Sequence, residues 1–247
     1  MNELVFKNSV GLRLSGFLIK PERQIPGIVI MSHGFMMDRY ERGQFPKMAE
    51  ALKAIGIASL LFDYTGSGQS DDTLITVTRQ ADDLSSAIRF VKTLGYLKIG
   101  LLGVSLGGLY SILAYSTNVS TIVLWAPVTE SKIPGKLKEP HVLKDFEQKG
   151  YTLIKNRAGK VFTVGKRYYQ ERLSVDQKAI LSRIKCPSLI LHGSKDTIIP
   201  LRHSEKALKY LPEGSRLWII HEADHSFATH LELIVTLSAD WFSRFLI

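Results

Sequence analysis

The sequence predicts an α/β fold, a mostly parallel sheet flanked by helices with an inserted cap, on three observations. Short apolar runs recur along the chain, amphipathic segments of helical length separate them, and the alternation breaks once, over a stretch too long for a crossover. Continuous apolar runs mark strands buried on both faces, as parallel sheets require. A chain of 247 residues with 45% hydrophobic side chains can bury one sizeable core.

The alternation of Leu12, Leu14, Gly16 and Leu18 predicts an antiparallel strand with one buried face, ending at Lys20-Pro21. Apolar runs at 27–31, 57–62, 99–102, 121–125, 188–191 and 216–220 predict six buried strands. Amphipathic segments at 44–55, 77–94, 106–115, 201–211 and 227–245 predict the helices between and after them. Strands alternating with helices imply right-handed crossovers. From Pro127 to about Ile180, roughly 50 residues separate two strands, well beyond the usual connection. We read a single domain over 1–247 with a cap inserted at about 128–180. Within the cap, 151–156 and 160–164 flank Arg157-Ala158-Gly159 and predict a hairpin.

Composition excludes several classes. Residues 99–129 carry no charge and are long enough to cross a bilayer, but glycines, Asn118 and Pro127 divide them into strand, turn, helix and strand. Glu3 and Lys7 interrupt the first residues, which therefore lack a signal peptide's apolar core, and a cytoplasmic location is expected. The single cysteine, Cys186, allows no internal disulfide and reads as a small semi-buried residue. The net charge of +9 is concentrated: residues 131–172 hold eleven Lys or Arg against four acids (Glu139, Asp145, Glu147, Glu171), a surplus of seven. Such a local surplus fits a solvated face or attraction of an anionic substrate, and no nucleic-acid partner is expected.

Gly103-Val104-Ser105-Leu106-Gly107 matches Gly-x-Ser-x-Gly between a predicted strand and a predicted helix. A sharp strand-to-helix turn tolerates no side chain at the glycines and presents the serine hydroxyl above the sheet, beside the partial positive charge of a helix start. A serine hydroxyl needs a base to accept its proton. His225 is best placed, because Glu222-Ala223-Asp224-His225-Ser226-Phe227 joins the last strand to the last helix. His221 lies at the strand end, His230 inside the predicted helix, and His141 and His203 read as solvated. Asp196, on the loop after 188–191, is the carboxylate that orients the imidazole, since the adjacent Asp224 has poor geometry for it. Backbone N–H groups of Phe35 and Leu106 are expected to form the oxyanion hole, with His33 bracing its loop. Asp63 reads as a turn-forming carboxylate. Asp71-Asp72 lack histidine or cysteine partners at metal-ligand spacing, so neither metal nor organic cofactor is expected.

Five motifs in order carry a resemblance: Ser-His-Gly-Phe at 32–35, Asp63-Tyr64-Thr65-Gly66-Ser67-Gly68-Gln69-Ser70, the turn at 103–107, Leu191-His192-Gly193-Ser194-Lys195-Asp196, and Ala223-Asp224-His225-Ser226-Phe227. Together they resemble the α/β-hydrolase superfamily over essentially the whole chain, closest to small capped esterases such as feruloyl or cinnamoyl esterases and monoacylglycerol lipases. The chain departs from many relatives in having Tyr64-Thr65 where they carry an arginine before Gly-x-Gly.

The resulting expectation is a serine hydrolase that cleaves small or medium acyl or aryl esters through an acyl-enzyme on Ser105. Its partner is a small-molecule substrate, in one reading anionic. Tyr168, Tyr169, Phe146, Phe162 and Trp125 are candidates to line the pocket or to pack the cap. A thioesterase, an aminopeptidase and a non-enzymatic ligand receptor on the same scaffold are the alternatives.

Overall fold

The computed structural model describes residues 2–22, 26–131, 133–156 and 158–247. Eight strands form one sheet in the order β1-β2-β4-β3-β5-β6-β9-β10, with a separate hairpin, β7-β8. The six predicted strands are β3 (Gly27–Ser32), β4 (Ala58–Phe62), β5 (Lys98–Val104), β6 (Val119–Trp125), β9 (Ser188–Gly193) and β10 (Arg216–Ile220), all mutually parallel, and the expected burial is corrected for β10, an edge strand that exposes Trp218 and Ile219. The predicted antiparallel strand is β2 (Arg13–Ile19), which pairs with β4.

Sequence reasoning missed β1 (Asn2–Lys7), the outermost strand, antiparallel to β2. Only Phe6 of β1 is buried, so its pattern carries little periodic signal.

Successive side chains of each strand divide between two layers. On β3, Ile28 and Ile30 pack into the core shared with α2 (Val77–Thr93) and α3 (Leu106–Leu113). Val29 and Met31 pack into the opposite core, with α1 (Gln44–Ala54) and α8 (Leu231–Leu246). Two buried faces explain why these strands read as continuous apolar runs.

The segment between β6 and β9 holds α4 (Pro140–Lys149), β7 (Tyr151–Lys155), β8 (Val161–Gly165), α5 (Lys166–Leu173) and α6 (Gln177–Leu181). The hairpin forms at the predicted place, although Arg157 of its turn lies outside the described residues. The loop after β4 reaches it, with Ile75 N–H donating to the Thr163 carbonyl at 2.9 Å. After β9, α7 (Arg202–Leu208) packs against β9 and β10.

The last helix begins at Leu231 rather than at 227. Phe227 is buried with φ 52°, a left-handed backbone that cannot continue a helix. Among the described residues no helix is long and apolar enough to cross a membrane.

Candidate active site

Ser105 occupies the turn from β5 into α3 with φ 53° and ψ −113°, a strained conformation for a residue with a Cβ. Two glycines allow it. A Cβ on Gly103 would lie 2.7 Å from the Gly107 carbonyl oxygen, and one on Gly107 would lie 2.0 Å from that of Ser32. Ser105 N–H donates to the Trp125 carbonyl and the Ser105 carbonyl accepts from Val128 N–H, both at 2.8 Å. The turn is thereby tied to the end of β6.

Tyr64 braces this turn from behind. Its hydroxyl meets Ser32 Oγ at 2.5 Å, and Ser32 Oγ donates to the Gly107 carbonyl at 2.8 Å. Burial pushes the Tyr64 phenol far above its ordinary value, which keeps its proton available for this chain.

His225, on the loop between β10 and α8, accepts from Ser105 Oγ at Nε2 (3.1 Å) and donates from Nδ1 to Asp196 Oδ2 (2.7 Å). Asp196 Oδ1 accepts from the Ile198 and Ile199 N–H groups at 2.8 Å each, and His192 Nε2 lies 3.3 Å from Oδ2. Burial alone would raise the Asp196 carboxyl, but hydrogen bonds from His192, His225 and Ile199 outweigh it and hold the group well below the usual carboxylate range. His192 is set by Ser204 Oγ at 2.7 Å and the Ile199 carbonyl at 2.9 Å, and its role was not legible beyond its place in a motif.

Phe35, Ser105 and Leu106 line one cavity of about 330 Å³, closed by Val128, Ile133, Pro134, Gly135, Tyr168, Arg172, Thr197, Ile198 and Ile199. Among the described residues, neither the Phe35 nor the Leu106 N–H donates to a turn or loop carbonyl. Tyr168 stacks on Phe35 with ring centroids 5.0 Å apart. Arg172, one helical turn further on α5, is buried and donates from Nη2 to the Glu130 carbonyl at 3.0 Å. Nothing in the basic stretch 131–172 distinguished it from its solvated neighbours.

The other candidates separate cleanly. His33 braces its loop, donating from Nδ1 to the Gly34 carbonyl (2.9 Å) and accepting at Nε2 from Tyr64 N–H (3.3 Å). Asp63 accepts from the Arg39 and Gln69 N–H groups, the expected turn role, and pairs in addition with the buried Arg39 guanidinium at 3.1 Å. Asp224 turns to Ser226, and Asp71 pairs with Arg13. His141 and His221 are exposed.

Two expectations are corrected. His203 is buried rather than solvated, with Nε2 3.3 Å from Glu130, because α7 packs that face inward. Trp125 does not line the cavity: it is buried in the core beneath α8, where Nε1 donates to Ser238 Oγ at 2.9 Å. Phe146 and Phe162 are buried packing residues as well.

Residues 23–156, just over half of the chain, match the family described as serine aminopeptidase, S33. The chain belongs to this family. As an S33 member it has the α/β-hydrolase fold. A human relative, "Serine hydrolase BPHL", is 28% identical over 159 residues, 58% of this chain and 54% of that protein. The mouse "Palmitoyl-protein thioesterase ABHD10, mitochondrial" is 29% identical over 170 residues, 63% of this chain and 54% of that protein. This S33 member thus spans about half the length of these relatives. Among solved structures, Est1E from Butyrivibrio proteoclasticus with bound ferulic acid superposes with a TM-score of 0.83 at 21% identity, covering 98% of each chain. That likeness is one of fold.

Proposed function

We propose that this S33 member is a carboxylic ester hydrolase for small or medium acyl or aryl substrates. The supporting observation is the continuous hydrogen-bonded line from Asp196 through His225 to Ser105, opening on a mostly apolar cavity that also holds Arg172. Ser105 Oγ attacks the ester carbonyl while His225 Nε2 takes its proton. Negative charge gathers on the carbonyl oxygen, which the Phe35 and Leu106 N–H groups receive. The tetrahedral adduct expels the alcohol, which leaves with the proton from His225. Water then attacks the acyl-enzyme by the same route, releasing the acid and restoring Ser105. Asp196, held anionic, stabilises the imidazolium throughout. This route uses no metal or organic cofactor.

The cavity lining favours esters over peptides. Holding the α-ammonium of a free amino terminus calls for a carboxylate beside the cleft, whereas the described lining contains no Asp or Glu and does contain Arg172. That buried cation, with the surplus positive charge of 131–172, favours esters that carry a negative group. The segment 128–180 acts as the cap that supplies this selectivity. Thioesters are the second reading, favoured by the name of the mouse relative.

Hydrolysis of p-nitrophenyl esters from acetyl to dodecanoyl tests the proposal. Turnover peaking at short or medium chains is expected, because the cavity is at the small end for ligand sites. Faster cleavage of a matched thioester or aminoacyl anilide would sink the ester assignment in favour of that bond.

A further inference from the structure

The loop after β3 carries the Phe35 amide toward Ser105, and one buried acid that the reaction scheme does not use grips it. Glu41 Oε2 accepts a hydrogen bond from Gly34 N–H at 2.6 Å, and Glu41 is buried. Gly34 stands between this carboxyl and the nucleophile: a Cβ placed on it would lie 3.4 Å from Glu41 Oε2 and 3.7 Å from the Ser105 Cβ. The backbone that delivers Glu41 is strained, with φ 41° at Glu41 and 57° at Arg42. Such left-handed non-glycine residues persist where their surroundings enforce them. Here the enforcement is visible on both sides, since Arg39 N–H donates to Asp63 Oδ1 at 2.7 Å before the strained pair and Gly43 N–H to the Tyr40 carbonyl at 2.8 Å after it.

We propose that Glu41 is a positioning residue for the oxyanion hole: by holding the Gly34 amide it fixes the next peptide unit, so that the Phe35 N–H is aimed where negative charge develops. The assignment rests on the ester-hydrolase reading and deepens it. Glu41 does not touch the reacting atoms. An oxyanion donor is worth most in the transition state, so misplacing it lowers kcat and leaves KM nearly unchanged. A residue that merely supported the fold would show its loss in stability, with no preference for kcat.

Three variants separate these roles. Glu41→Gln keeps an oxygen that can accept from Gly34 N–H, Glu41→Asp keeps the charge and loses the reach, and Glu41→Ala loses both. With p-nitrophenyl acetate, Glu41→Ala and Glu41→Asp are expected to lower kcat by about 30-fold with KM within about twofold, while Glu41→Gln recovers to within about threefold of the wild type. Should Glu41→Ala fail to fold, the Asp and Gln variants decide alone. The assignment is overturned if folded Glu41→Asp keeps wild-type kcat, or if Glu41→Gln loses as much as Glu41→Asp. A wild type inert toward every ester would instead remove the ester-hydrolase reading, and this assignment with it.

Discussion

The turn around Ser105 and the segment between β6 and β9 face each other across one cavity, and they are held in place by different means. The turn is fixed by backbone: Gly103 and Gly107 leave no space for a side chain, and Ser105 is bonded to Trp125 and Val128 through main-chain groups. The segment opposite is held by side chains, through the Tyr168–Phe35 stack and the Arg172 contact with Glu130. Its hairpin exposes every second residue of β7. The difference separates two tasks. On the proposed function, backbone geometry fixes the reaction, while side chains on the other wall set what enters.

That division can be broken at its strong end first. Ser105→Ala should lower ester turnover by roughly four to six orders of magnitude while leaving the melting temperature near that of the wild type. Gly107→Ala should be worse for the fold and milder for the chemistry. Its Cβ collides with the Ser32 carbonyl, so we expect a loss of about 3 kcal/mol in urea unfolding and a fall of about a hundredfold in kcat as the turn shifts. On the opposite wall, Arg172→Gln should change choice rather than rate. The preference for a carboxylate-bearing half-ester over its neutral methyl ester should fall about tenfold, with neutral-ester turnover within about threefold. Equal loss on both esters would show that Arg172 only secures the wall.

The smallest effect concerns pH and stability. Burial pushes the Glu41 carboxyl from 4.5 up to about 7, against the Gly34 hydrogen bond and Arg42 and with the help of Asp38. A raised folded-state value means that protonation favours the folded protein. This contribution is fully present below the unfolded value and is lost as pH rises through about 7. Asp83, raised to about 6 by burial, acts in the same sense. Buried His33, held below its ordinary 6.5 by burial, acts in the opposite sense at lower pH, so thermal melts should fall in temperature between about pH 6.5 and 8, by about a few degrees. Glu41→Gln should flatten only part of that slope, leaving the share of Asp83.

The backbone-built region was also the legible one. Close main-chain approach demands glycine at fixed spacing, and short loops at one sheet edge impose the order Ser105, Asp196, His225, so both leave a mark in the sequence. The strands β3, β4, β5, β6 and β9 were legible for a similar reason, because burial on two faces permits little but apolar residues. What escaped depends on partners far away in the chain. Glu41, Arg39 and Arg172 are charged residues in polar stretches, and only tertiary packing reveals them as buried. His203 escaped likewise, since its burial comes from the packing of α7 and from Glu130. The helices α4, α5 and α6 each bury only two residues, too few for their periodicity to stand out.

The central claim is that Ser105 is the nucleophile, and covalent labelling tests it most directly. Intact-mass measurement after treatment with a fluorophosphonate should show one phosphonyl adduct on the wild type, formed with loss of fluoride, and none on folded Ser105→Ala. An adduct of equal yield on Ser105→Ala, or fragment ions placing it on another residue, would contradict the account.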